Sequence, residues 1–335
     1  MSDSPAAEPW TRDGSRTIYT QTGRQALALL ADRLLPDGPR TLLAPAYLCD
    51  SMIQPFVDRG WRLLAYPMTP DLHPDGEEAM SVAASLIGEP FVALVAEYFG
   101  RSPDAGFRAL IAGLQATGGT VIDDETHRVL DPRDAGADLT IASLRKVLPV
   151  ATGAYLRSSA RPLPEPRLPD EGEDAERWDA MDEKSRNGNG TSGSDRYKSL
   201  FAAADERLER ADTPRLIGER SRRTLSVLDY TALAERRRSN AAALTSELAP
   251  LGVPVLNPPV DESIPSHLVV RVPRAAAVQR RMAARGVFCP IHWPESTLLP
   301  RGRPWPSEFL SIPVDHRYDA DDMRRAARAL QESLA

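Results

Sequence analysis

Through its first half the chain alternates short apolar runs, at residues 40–45, 62–66, 91–96, 119–124 and 138–142, with helix-forming stretches at 26–35, 52–57 and 106–117. A run such as Phe91-Val92-Ala93-Leu94-Val95-Ala96 has no polar face, so a strand made of it must be covered on both sides. Strands alternating with helices build βαβ units, which assemble into a mostly parallel sheet with helices over both faces. In an α/β fold of this kind ligands gather beyond the carboxyl ends of the strands. The residues that follow each run are therefore the ones to inspect.

At 335 residues the chain has room for one large domain and a smaller one. Residues 1–16 are polar and lack the apolar core of a signal peptide, and read as a flexible N-terminus. A large domain is expected over 17–228, opening with a strand at 17–20. The composition changes after Arg157, with prolines through 161–169, acids through 170–176 and a Gly/Asn/Ser/Thr tract at 187–194. Residues 158–196 thus read as a mobile loop, a lid, an arm or a disordered stretch. Helices are predicted at 199–211, 215–228 and 230–248. The last connects to a small C-terminal α+β domain, 229–335 in all, with strands at 266–272, 287–294 and 309–314 and helices at 275–285 and 320–334.

The net charge of −6 argues against nucleic acid as the main partner. No apolar run reaches membrane-spanning length. Cys49 and Cys289 are too few and too far apart in sequence for a disulfide framework, so a cytoplasmic location is the expectation.

The run at 138–142 turns polar at Ser143, Arg145 and Lys146 before Pro149 ends regular structure. A lysine at the mouth of a buried strand is where a carbonyl-seeking amine would sit, and desolvation beside a second cation, here Arg145, favours its neutral, nucleophilic form. Alone, Lys146 reads first as a surface lysine, and the partners upstream reverse that reading. Upstream, the run at 119–124 opens into Asp123, Asp124 and His127. Thr22-Gly23-Arg24 starts a helix with free N–H groups and a guanidinium where a phosphate could bind, though a plain N-cap has the same pattern. Tyr47 follows a strand, placed either to stack on a flat ring or to pack against a loop. Metal binding by Asp123, Asp124 and His127 offers too few ligands. P-loop, nucleophile-elbow and zincin motifs are absent from the sequence, and the Gly-x-Gly-x-x-Gly string at 188–193 lies in the polar tract rather than after an apolar run, where a dinucleotide-binding turn would stand. An acid, a lysine and a phosphate-ready helix start together suit pyridoxal 5′-phosphate (PLP), which needs an amine for its aldehyde and a carboxylate for its pyridine nitrogen.

Four segments then carry a resemblance: Thr-Gly-Arg-x-Ala-Leu at 22–27, Pro-Ala-Tyr at 45–47, Ile-Asp-Asp-x-x-His at 122–127 and Ser-x-x-Lys at 143–146. In this order, with the Arg-Arg-x-Asn helix at 237–240, the chain resembles a fold-type I PLP-dependent aminotransferase of the DegT/DnrJ/StrS group. The resemblance implies Lys146 as Schiff-base lysine and proton shuttle. It implies Asp124, rather than Asp123, on the pyridinium and His127 near the ring hydroxyl. Gly23, Arg24 and Ser143 would hold the phosphate, and Tyr47 would stack on the ring. It also implies a homodimer with shared active sites. His292 and Tyr98 are the substrate-binding candidates, a packed turn being the other reading of 292–294. The chain departs from the family pattern in the two residues between Ser143 and Lys146, in Gly153-Ala154 where a pair of glycines is common, and in the unmatched stretch 162–195.

The function so implied is transfer of an amino group from an amino-acid donor to a keto or aldehyde acceptor through a Lys146 internal aldimine. A PLP-dependent lyase, decarboxylase or Cα-substituting enzyme would use the same constellation, and a catalytically idle PLP-bound partner is a third reading.

Overall fold

In the computed structural model, which describes residues 7–12, 15–131, 133–159, 171–172, 174–186, 196–211, 213–260, 263–299 and 305–334, the apolar runs are strands, buried throughout at 41–45, 91–95 and 139–142 and partly exposed at 62–66, the edge of the sheet. The large part contains β1 (Arg16–Thr20), α1 (Gly23–Arg33), β2 (Thr41–Pro45), α2 (Gln54–Val57), β3 (Arg62–Tyr66), α3 (Gly76–Ala84), β4 (Phe91–Val95), α4 (Ala105–Ala116), β5 (Gly119–Asp124), β6 (Leu139–Ala142) and β7 (Ala154–Ser158). It continues through β8 (Glu171–Gly172), α5 (Ala175–Arg186), α6 (Arg196–Arg210), β9 (Leu216–Ile217), α7 (Glu219–Leu225) and α8 (Tyr230–Leu248). The C-terminal part contains β10 (His267–Arg271), α9 (Ala275–Ala284), β11 (Phe309–Pro313) and α10 (Ala320–Leu334).

The main sheet runs β3-β2-β4-β5-β6-β7-β1-β9-β8. β3, β2, β4, β5 and β6 are parallel, whereas β7 is antiparallel to both β6 and β1. Every residue of β2 and β4 is buried, which explains their unbroken apolar sequences. Because β5 and β6 are adjacent and parallel, with Asp124 opposite Ile141, their carboxyl ends open at one edge. β10 and β11 form a separate antiparallel pair. Their apolar faces pack with α8, α9 and α10 around Leu244, Leu268, Val270, Met282, Ile312 and Leu330.

Several expectations need correction. β7 is a central strand that the sequence pattern obscures, because Arg157 interrupts it. The guanidinium is fully buried and donates to the Trp10 carbonyl at 2.9 Å and to Thr140 Oγ1 at 3.1 Å. The stretch read as a loop carries helix α5, held by buried Trp178 and Ala180, and α6 begins at Arg196. The Pro-rich 161–169 and the tract 187–194 lie outside the described residues. The helix predicted over 215–228 is instead strand β9, which pairs with β1 and β8, followed by the shorter α7. No strand forms at 287–294, where Pro290 and Pro294 lack N–H donors; Ser311 N–H donates to the Pro290 carbonyl at 3.0 Å. Within the expected flexible N-terminus, residues 1–6 and 13–14 lie outside the described residues, but Trp10 is buried and stacks on Tyr155 at 5.6 Å.

Candidate active site

β5 ends in two acids, and strand alternation sends them to opposite faces. Asp123 turns to the buried Arg128, with which it forms an ion pair that Arg128 shares with Glu125 at 2.9 Å. Asp124 turns to a cavity at the carboxyl edge of the sheet. Its Oδ1 accepts from Thr126 N–H at 2.8 Å, an Asx-type turn, and Thr126 Oγ1 accepts from Ser143 N–H at 3.0 Å. Thr126 thereby stitches the end of β5 to the end of β6. The sequence reading missed it, although an acid followed two residues on by threonine is the signal for such a turn. Burial raises the Asp124 pKa, while the Thr126 hydrogen bonds and the Lys146 charge work against that rise.

The cavity has a volume of about 400 Å³ and brings together Thr22, Gly23, Arg24, Asp124, Ser143 and Lys146. Thr22 caps α1 by accepting from Gln25 N–H at 3.2 Å, which leaves the Gly23 and Arg24 amides at the open helix end. Gly23 faces Ser143 so closely that a Cβ at residue 23 would lie 3.3 Å from the Ser143 Cβ, tighter than side chains ordinarily pack. Among the described residues, the Arg24 and Lys146 side chains make no hydrogen bond or ion pair. The environment of Lys146 differs from expectation: the residue is exposed, and Arg145 turns away to Asp205 at 3.1 Å, a carboxylate that Arg177 also binds at 2.5 Å.

A smaller space adjoins Lys146 and Asp124, lined also by Tyr98, Thr126, His127 and Trp293. His127 Nδ1 accepts from Phe99 N–H at 3.0 Å, so the proton of the neutral ring sits on Nε2. Tyr98 is buried and its hydroxyl donates to the Tyr47 carbonyl at 2.5 Å. Tyr47 does not line either space. It packs edge-on to Tyr98 and against Trp293 and Trp305 at 5.1 and 5.2 Å, and it borders a separate cavity of about 630 Å³. His292 stands 5.7 Å from the His127 ring, and its Nδ1 is 2.9 Å from Ser311 Oγ. His267 completes a cluster of three rings, 5.0 Å from His292.

No protein-family model and no curated protein matches the chain. Solved structures do. A DegT/DnrJ/EryC1/StrS aminotransferase from Brucella abortus is 16% identical with a TM-score of 0.66, covering 95% of this chain and 85% of its own. PseC of Helicobacter pylori, an aminotransferase of pseudoaminic acid biosynthesis, is 14% identical at a TM-score of 0.67, covering 95% and 86%. The sugar aminotransferase CalS13 from Micromonospora echinospora is 16% identical at a TM-score of 0.63, covering 94% and 87%. The chain has the fold of these aminotransferases.

In this aminotransferase fold the three histidines join the large and small parts beside Lys146. Burial lowers the pKa of all three, that of His292 to about 4, and the Lys146 charge adds to the effect at His127 and His292. A ring whose folded pKa is depressed binds more protons unfolded than folded between the two values. Its contribution is therefore intact above the unfolded pKa of about 6.5 and is lost as the pH falls toward about 4. Each ring adds at most about 1.4 kcal/mol per pH unit to that slope. Urea unfolding midpoints measured across this window should fall with acidification, and His292→Asn should flatten the fall. Equal slopes in the two proteins would contradict the assignment.

Proposed function

We propose that the chain is a PLP-dependent aminotransferase that moves an amino group from an amino-acid donor to a keto or aldehyde acceptor. The carrying observation is one cavity that unites a carboxylate, a primary amine and an open helix N-terminus, each held by a different element of the sheet edge. The residues fit the cofactor. The lack of a side chain at Gly23 lets Ser143 come up against the helix end, and Gly23, Arg24 and Ser143 border the cavity where the Gly23 and Arg24 amides would hold a phosphate. Asp124, buried and lacking a side-chain cation partner among the described residues, is a counter-charge for a protonated pyridine nitrogen. When bound, PLP supplies an electron sink for the bond that breaks at the substrate's α-carbon.

The chain's own residues do the rest. Lys146 Nζ would hold the cofactor aldehyde and would carry the proton to and from the substrate's α-carbon. Thr126 fixes the Asp124 carboxylate through its N–H. His127 Nε2–H is the donor beside Lys146, available to an oxygen on the cofactor or substrate. The sugar aminotransferase among the similar structures favours a hydroxyl-bearing acceptor of the sugar type. Homodimer assembly belongs to the same reading, with cofactor sites near the contact between copies; sedimentation of the purified protein checks it.

Titration of purified protein with PLP is the direct test. A visible band well above the protein absorption should form, glutamate should convert it to the near-ultraviolet band of pyridoxamine phosphate, and a carbonyl acceptor should restore it. Absence of the first band overturns the proposal; ammonia or carbon dioxide release in place of the conversion assigns the lyase or decarboxylase chemistry.

A further inference from the structure

Two cavities meet at Lys146, and they differ greatly in size. The one on the Gly23 side holds about 400 Å³. The one bounded by Tyr98, His127 and Trp293 holds about 20 Å³, space for roughly one water. A carbonyl compound with a chain of carbon atoms does not fit there while the indole of Trp293 stays in place. The ring is stacked on His127 at 5.6 Å with planes 15° apart, and lies edge-on to Tyr98 at 5.1 Å.

The hold on Trp293 comes from both sides. Trp305 Nε1 donates to the Trp293 carbonyl at 2.9 Å. Downstream, residues 296 and 297 are tied to the large part by one carboxylate, Asp50, in the turn that follows β2. Asp50 accepts from the hydroxyl of Ser296, from Thr297 N–H at 3.2 Å and from Thr297 Oγ1 at 3.1 Å. Ser296 Oγ in turn accepts from the N–H groups of Leu298 and Leu299, each at 3.2 Å. Asp50 also borders the larger cavity, so the tether is rooted in the wall of the proposed cofactor site.

We infer that Trp293 is the residue that sets the size of molecule admitted to Lys146 from the substrate side, and that Asp50 is a positioning residue that holds it there. This rests on the proposed function for the identity of the reacting group, but the tether itself does not. Entry of a substrate displaces the indole, at a cost that grows with the bulk of the substrate and with the strength of the Asp50 tether.

The test has two arms. In the first, hydrogen exchange is followed in the protein as purified. Asp50→Ala is expected to speed exchange of the Thr297, Leu298 and Leu299 amides by about tenfold, the factor expected for losing a hydrogen-bonded anchor worth about 1.4 kcal/mol, while the α10 amides keep their rates and report an intact fold. Unchanged exchange at residues 297–299 removes the tether. In the second arm, PLP-loaded protein is treated with hydroxylamine and with O-benzylhydroxylamine, and discharge of the visible band is timed. Each amine takes the carbonyl carbon of the cofactor to form an oxime, and the Lys146 amine is the leaving group. Wild type should react much faster with the small reagent. Trp293→Ala should narrow the ratio of the two rates about tenfold or more, an effect of pocket size, with Trp293→Phe and Asp50→Asn moving it the same way by less. An unchanged ratio in a variant that still forms the band overturns the gate. Failure of wild type to form the band counts against the proposed function instead, and the exchange arm then decides the tether alone.

Discussion

Lys146→Ala should form no visible band with PLP and should lose transaminase activity by at least ~10³-fold, because one change removes both the covalent attachment and the proton carrier. Lys146→Arg is the informative companion. It keeps a cation at the strand mouth but cannot give up its proton to act as a nucleophile, so it too should lack the band while binding PLP more tightly than the alanine variant. The exposed position of Lys146 and its lack of a partner among the described residues make a folding defect an unsuitable explanation for either result. Urea midpoints within about 0.5 kcal/mol of wild type are expected for both, as for other exposed substitutions. A visible band that persists in Lys146→Ala places the reactive amine elsewhere.

The adjacent acids give the second large effect, and they divide it cleanly. Asp124→Asn should retain the fold and still accept PLP. It should reduce turnover by on the order of 10²–10³-fold, the usual consequence of removing a preorganised charge from a buried site. Asp123→Asn should do the opposite. It breaks a buried ion pair with Arg128 and should destabilise the protein by about 3 kcal/mol, with Glu125 still compensating part of the charge. Its visible PLP band should remain wherever the protein is folded. Turnover and urea midpoints measured on both variants check the division. If Asp123→Asn were the variant that lost turnover at unchanged stability, the two roles would be reversed.

Much of this arrangement could be read from residue order, and the reasons are local. The strands β2, β4, β5 and β6 announce themselves because burial on both faces demands unbroken apolar sequence. The helix α8, Tyr230–Leu248, has an Asp229 cap that accepts from Ala232 N–H, and its bounds match those predicted. Alternation along β5 separates Asp123 from Asp124, so that the second acid and not the first lines the cavity. What stayed hidden depends on partners distant in sequence. β7 contains an arginine that is tolerable in a sheet because distant groups serve it, the carbonyl of Trp10, 147 positions away, and the carboxylates of Glu125 and Asp134 among them. α5 is too polar to advertise a buried face, since only Trp178 and Ala180 are fully covered. Tyr47 occupies a strand end where ring stacking and core packing look alike, and four aromatic neighbours place it in a packed cluster. The contact of Asp50 with Ser296 spans 246 positions and has no local signature at all.

Trp10 has a practical bearing on how the protein can be handled. Its indole fills a slot between Tyr155 and Tyr230, its carbonyl serves the buried Arg157, and two residues earlier Glu8 binds Arg222 at 2.7 Å. An expression clone trimmed to the first strand would discard a wedge from the interior and leave a guanidinium short of an acceptor, at a cost of roughly 1–3 kcal/mol. Shortened versions should therefore begin ahead of residue 7, and affinity tags placed there need a spacer long enough to let the wedge seat.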